Sequence, residues 1–167
     1  MPALHLVALF SVAIPMALGL LLDRLFGEAP RYHPLVGFGR YASAVERLFR
    51  RIGVGRGSGL LAWSAAVLPW VALAGSLKAG NVWLGLLLDI GLLYFAVGSR
   101  SLAEHARAVA EPLQAGDLSG ARQRLSWIVS RDTSQLDASG VAKATVESVL
   151  ENGNDAIFGA LFWFALL

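Results

Sequence analysis

Cysteine is absent from the 167 residues. That excludes disulfides, thiolate catalysis and cysteine-ligated zinc. Charge is scarce too: 16% of the chain is Asp, Glu, Lys or Arg, against roughly a quarter in ordinary globular chains. The net charge is only +2. There is no basic tail, so nothing points to a nucleic-acid partner. No convincing strand pattern, internal repeat or low-complexity linker is found.

What the chain has in abundance is apolar surface. Hydrophobic residues make up 56% of it. A soluble fold of this size would leave much of that surface wet, and a bilayer removes the difficulty. The charges fall in blocks. Residues 23–58 hold seven arginines and three acids, residues 60–98 hold only Lys78 and Asp89, and from Ser99 to Asp155 charges of both signs return. Alternation of this kind is the membrane pattern.

Three runs are predicted to cross the membrane: 4–22, 60–77 and 82–98. Each is close to the roughly 20 residues needed to span a hydrocarbon core of about 30 Å. Pro15 and Pro69 lie inside two of them, where neighbouring helices can accommodate a proline. The first run does not read as a signal peptide. No basic residue precedes it, and it ends Leu-Leu-Leu-Asp rather than in a small-residue cleavage site. Arg24, Arg31, Arg40, Arg47, Arg50, Arg51 and Arg56 follow it, which places that loop in the cytoplasm by the positive-inside rule. Residues 99–155 then share the same compartment, that of an inner-membrane protein with its motif loops facing the cytoplasm.

Residues 99–155 read as helices. Ser101 and Glu104 suggest a capping box. Leu102, Ala106, Val109, Ala110 and Leu113 follow with helical period. Asp117 is expected to cap a second helix running to Val129, 130–139 is polar and irregular, and a third helix is expected over 140–154. Residues 156–167 are apolar and about half a span long. The expectation is an all-α polytopic membrane protein in one domain over 1–167, with about three full transmembrane helices, a truncated fourth and a cytoplasmic helical segment.

Three places could carry chemistry. Gly27, Pro30 and Pro34 break the chain after the first run, which would display Asp23, His33 and Arg40 on a constrained loop. A carboxylate, an imidazole and a guanidinium together suit a metal–phosphate group. The alternative is a membrane-edge turn with snorkelling arginines. In 129–137, Arg131 and Asp132 sit among the hydroxyls of Ser130, Thr133 and Ser134, which suits capture of a polar ligand; the alternative is a solvated loop. Lys143, Glu147, Glu151 and Asp155 recur every four residues, with Asn152 and Asn154 beside them. The three acids would repel on an isolated helix, and a divalent cation would relieve this. The alternative is a polar face opposite Val141, Val146, Val149 and Leu150.

Other strings carry less. The glycines of 53–59 lack the Lys-Ser/Thr of a P-loop. Residues 37–42 fit a dinucleotide string by letter, but no strand precedes them. His5 and His105 are lone histidines. Asp89 in a span is a functional hint, or pairs with a polar group outside this chain. Trp63, Trp70 and Trp83 read as interfacial or packing residues.

Leu22-Asp-Arg-Leu-Phe-Gly-Glu-Ala-Pro30 with His33-Pro34 and Gly39-Arg40 resembles the opening motif of the CobD/CbiB family. Ser99-Arg-Ser-Leu-Ala-Glu-His105, Gly116-Asp-Leu118 and Ile128-Val-Ser-Arg-Asp-Thr133 resemble its central region. Val146-Glu-Ser-Val-Leu-Glu-Asn-Gly-Asn-Asp155 with Leu161-Phe-Trp163 is similar to the block closing its first half. The resemblance implies an adenosylcobinamide-phosphate synthase of cobalamin biosynthesis. Such an enzyme amidates adenosylcobyric acid, a corrinoid, with aminopropanol or its phosphate, using ATP and Mg²⁺. On that chemistry Asp23, Glu147, Glu151 and Asp155 are the metal candidates. Arg40, Arg131, Thr133, Lys143 and Asn152 are the substrate and phosphate candidates, and Asp132 or His33 would take the amine proton. Expected partners are membrane lipid, other membrane enzymes of that pathway, or further copies of the chain. The family's usual form is longer, so a site shared between halves is expected to be incomplete here. The alternative is a non-catalytic membrane signalling or assembly protein of the AmpE type. A permease would need polar residues in several spans, and only Asp89 qualifies.

Overall fold

A computed structural model describes residues 2–28 and 33–166, with side chains described from residue 10 onward. The side chain of His5 and all of Arg31 lie outside the described residues, as does the side-chain packing of 4–9 in the first expected span. Every regular element among the described residues is helical: α1 (Pro2–Phe26), α2 (Pro34–Ile52), α3 (Arg56–Gly80), α4 (Val82–Ala96), α5 (Ser99–Gln114), α6 (Leu118–Leu125) and α7 (Ala138–Gly153). A π-helical turn, Asn154–Gly159, then leads into α8 (Ala160–Leu166).

α3 and α4 form a tight hairpin around Asn81. Its Oδ1 accepts from the N–H groups of Trp83 and Leu84, at 2.9 and 3.1 Å, and caps α4. Gly85 lies against Lys78, where an added Cβ would sit 3.4 Å from the lysine Cα. Asp89 finds its partner inside the chain, in Lys78 at 2.7 Å. The hairpin therefore supplies the counter-charge that the sequence left open. α1 packs on α4, α2 on α3, and α8 reaches both α1 and α4.

Two helical stretches are long and apolar enough to cross a membrane: Arg56–Gly80, with mean hydropathy 1.7, and Val82–Gln114, with 1.8, which joins α4 to α5 across the break at Val97–Gly98. Only 11% and 17% of their most apolar windows are buried. The core helix of a soluble protein would be mostly covered. Leu60, Trp63, Trp70, Leu73 and Trp83 instead stand at least half exposed. So large an apolar face calls for lipid or another protein against it.

The polar segment makes a small core of its own. Val109 of α5, Ala121 and Leu125 of α6, and Val141 and Ala144 of α7 are buried together, ringed by Leu113, Leu118, Ile128, Val129 and Leu136. Full burial of Leu125 alone contributes about 1.5–3 kcal/mol. Gly116, at φ +80°, turns the chain between α5 and α6, and Asp117 caps α6 through the Gly120 N–H at 2.8 Å. α6 ends at Leu125, four residues short of the expected Val129, because residues 126–128 close in turns onto α6 carbonyls.

Two expectations are corrected. Residues 34–52, expected as loop, form the 19-residue helix α2 with Pro34 in its first turn and His33 as its cap. Pro34 starts this helix because its missing N–H is not needed there. The capping box at Ser101 and Glu104 is absent. α5 begins two residues earlier, Ser101 lies inside it near His105, and Glu104 pairs with Arg100 at 2.7 Å.

Candidate functional site

The ends of α1 and α5 lock into each other. Gly98, the residue before α5, carries no side chain to cap it. Asp23 of α1 does so from outside: its Oδ2 accepts from Ser99 Oγ and from the Arg100 N–H, the latter at 3.1 Å. Arg100 reaches back and donates to the α1 carbonyls of Leu25, at 2.8 Å, and Arg24, at 3.4 Å. Each helix therefore satisfies orphan groups of the other. Gly27, at φ +63°, ends α1, and its carbonyl accepts from Tyr94 Oη at 2.8 Å. Asp23 is 1% exposed, and burial of this charge depends on those bonds.

One consequence is topological. Asp23 and Ser99 meet, so α1 and α4 finish at the same end. α3 runs antiparallel to α4 and begins at that end. Both polar segments thus emerge together.

His33 stands beside this junction. Its Nδ1 accepts from the Leu35 N–H at 3.3 Å, and its ring meets Phe95 edge to face at 5.7 Å. With Asp23, Glu28, Tyr94 and Gly98 it lines a cavity of about 220 Å³. A neutral imidazole accepting at Nδ1 carries its proton on Nε2.

The second and third sequence candidates come together. The turn after α6 and the face of α7 enclose a cleft of about 420 Å³, lined by Ser130, Arg131, Glu147, Ser148, Glu151 and Asn152. Arg131 donates to Glu147 Oε2 at 2.8 Å, and Lys143 lies 3.9 Å from Glu147 Oε1. The repulsion expected among the acids is thus relieved at Glu147 by two cations. Asn152 donates to the carbonyl and hydroxyl of Ser148, whose own Oγ donates to Ile128 O at 3.0 Å and pins the turn to α7. The Glu151 side chain makes no hydrogen bond or ion pair among the described residues and is exposed to the cleft.

Asp132 and Thr133 shape the loop. Asp132 accepts from the backbone N–H of Ser134 at 2.9 Å and from its hydroxyl at 3.1 Å. These bonds, the backbone one first, hold its carboxyl below the ordinary carboxylate range. An acid so easily ionised is a weak base for an amine proton. Thr133 is buried and donates to Arg122 O at 3.0 Å, while Arg122 Nε donates to Leu136 O at 2.6 Å.

The remaining candidates are dispersed. Arg40 is exposed on α2, and its side chain makes no hydrogen bond or ion pair with the described residues. Asp155 falls on the π turn, beside Asn154 Nδ2 at 3.2 Å. A π turn holds more residues than an α turn, so spacing by four no longer aligns Asp155 with Glu151. Among the described residues no three His, Asp or Glu side chains gather closely enough to hold a metal. The four-carboxylate set of Asp23, Glu147, Glu151 and Asp155 is therefore not assembled. Sequence reasoning passed over Ser99, Arg100, Tyr94, Arg122 and Ser148. Their partners on other elements lie 11 to 77 positions away, a signal that local spacing does not carry.

Residues 16–167 match the family described as CobD/Cbib protein. The chain belongs to the CobD/Cbib family. Among its curated relatives, "Cobalamin biosynthesis protein CobD" of Chromobacterium violaceum is 51% identical, the match covering 93% of this chain and 52% of the relative. The protein of the same name in Stutzerimonas stutzeri is 54% identical over 92% and 51%, and that of Klebsiella pneumoniae 39% over 87% and 49%. The chain spans about half the length of these CobD relatives. No solved structure matches it.

Proposed function

We propose that this CobD/Cbib chain supplies part of a cobalamin-pathway ligase in the inner membrane, an adenosylcobinamide-phosphate synthase. Its substrates would be adenosylcobyric acid, ATP and aminopropanol or its phosphate. Family membership supports the pathway. The observation that supports the chemistry is the cleft holding Arg131, Glu147, Glu151 and Asn152. In this reading α1 is a third span, and the polar segments face the cytoplasm, where ATP is.

An amine does not expel oxide from a carboxylate at a useful rate. The carboxylate oxygen must first attack the γ-phosphorus of ATP, releasing ADP. The amine nitrogen then attacks the acyl carbon and phosphate leaves. Most of what a protein can add to phosphoryl transfer is positioning and charge stabilisation. Arg131 offers a guanidinium fork to phosphate oxygens, with Lys143 as a second cation at the rim. Ser130 and Asn152 offer polar contacts to the acyl group. Mg²⁺ takes one or two carboxylates together with phosphate oxygens and water; Glu147 and Glu151 would hold it, and it would neutralise phosphate charge. His33 lines a different cavity, so for it to accept the amine proton the amine must enter through that cavity and the long bond to Leu35 must be released.

The test uses this chain expressed together with the further half that its relatives possess. Corrinoid amide is quantified in membranes with Arg131→Ala or Glu151→Gln. The expected loss is about 100-fold or more, with membrane insertion unchanged. Undiminished product in both variants removes the cleft from the reaction. Absence of nucleotide and corrinoid binding in the unmutated protein would favour the AmpE-like reading.

A further inference from the structure

A separate cleft lies at the junction of α1 and α5. It measures about 450 Å³ and is lined by Arg24, Ser99, Arg100, Ala103, Glu104 and Arg107. Three guanidiniums against one carboxylate give its lining a formal charge of +2. Arg24 comes from the last turn of α1, Arg100 from the first turn of α5 and Arg107 from its middle.

Their states differ in a telling way. Arg100 is fixed by the Leu25 and Arg24 carbonyls and by Glu104, which answers its charge. Arg24 and Arg107 make no side-chain hydrogen bond and no ion pair among the described residues, and both are exposed. Like charges turned into one recess raise its potential, and among the described residues Glu104, already paired with Arg100, is the one carboxylate lining it. Arg50 has Glu46, Lys78 has Asp89 and Arg131 has Glu147, while Arg40, Arg47, Arg51 and Arg56 also stand without an ion pair among the described residues; what sets Arg24 and Arg107 apart is that they share one recess with Arg100. Planar guanidiniums converging from two helices match the oxygens of a phosphate group, bidentately and with little hydration to lose.

We infer that the Arg24–Arg100–Arg107 cleft binds a phosphate group. The ligand carries it either as a free polyanion of the pyrophosphate kind or as the headgroup of an anionic lipid. The second source suits the position of the cleft, at the end where the apolar helices α1 and α4 both finish. The inference does not depend on the ligase reading, since none of these arginines lines the Arg131 cleft.

The experiment takes the full chain purified in neutral detergent and measures inorganic pyrophosphate binding by calorimetry. A parallel arm reconstitutes it in nanodiscs of phosphatidylcholine with or without phosphatidylglycerol and counts retained lipid by native mass spectrometry. The doubly substituted Arg24→Gln, Arg107→Gln chain is compared with Arg50→Gln and Arg51→Gln, two α2 controls outside both clefts. If the phosphate is free, the double variant weakens pyrophosphate binding about tenfold or more, and both controls retain it. If the phosphate is a lipid's, the double variant loses the phosphatidylglycerol that the controls keep. Both arginines are exposed and unpaired, so the helical circular dichroism is expected to persist and reports any misfolding. A chain that binds neither ligand, or a double variant that binds both as the controls do, overturns the inference.

Discussion

Asp23 and Ser99 stand 76 positions apart and are joined by a hydrogen bond from the serine hydroxyl to the buried carboxylate. The bond makes Asp23 the N-terminal cap of a helix to which it does not belong. It also sets the geometry of everything that follows Gly98.

Asp23→Ala is therefore expected to lower stability by about 1–3 kcal/mol, because the hydroxyl of Ser99 and the N–H of Arg100 lose their acceptor. Thermal unfolding in detergent measures this. Asp23→Asn keeps an oxygen acceptor and should fall between the two. A substitution that leaves the melting temperature untouched but abolishes divalent-cation binding would make Asp23 a ligand rather than a cap.

Gly27 closes the same junction at φ +63°, with an added Cβ only 3.0 Å from Arg100 Cδ. Gly27→Ala is expected to cost about 1–2 kcal/mol from the left-handed backbone alone. Gly27→Asn should cost less in backbone strain, since Asn tolerates that region better. Equal melting temperatures for Gly27→Ala and the unmodified chain would place the helix end elsewhere.

Much of this architecture is legible in the sequence, and what is not has identifiable physical causes. The apolar runs of 60–77 and 82–98 announce α3 and α4, because helical length and hydropathy are local properties. Arg131, Glu147, Glu151 and Asn152 were singled out on two separate segments, and α7 does bring them to one cleft. The amphipathic α2 was missed because Gly27, Pro30 and Pro34 read as breakers, although Pro34 starts the helix. The role of Asp23 was missed for a different reason: its partners are remote, and no spacing rule connects residue 23 to residue 99. Asp155 was placed by counting fours across a helix that widens into a π turn.

The Asp132 carboxyl lies below the ordinary carboxylate range in the folded chain. A depressed folded value means that the stabilisation is present above the unfolded pKa and is lost as pH falls through the folded one. Acid titration of unfolding should show this loss at the acidic end, below the pH at which ordinary carboxylates titrate. Ser134→Ala removes the smaller of the two hydrogen-bond causes and should move the loss toward higher pH. An unchanged acid limb in Ser134→Ala would show that the hydroxyl plays no part.

Lys78 and Asp89 bridge the α3–α4 hairpin at 2.7 Å, with Asp89 the better covered of the two, at 16% side-chain exposure against 47%. Removing one member of such a pair strands the other charge against apolar helices, whereas replacing both by apolar residues of similar size can be neutral or stabilising. Lys78→Met alone is thus expected to destabilise the hairpin, and adding Asp89→Leu should restore most of the melting temperature. Opposite behaviour is informative. If the double variant melts as low as the single one, Asp89 must answer some other group as well, and the hairpin would not hold its charge by this pair alone.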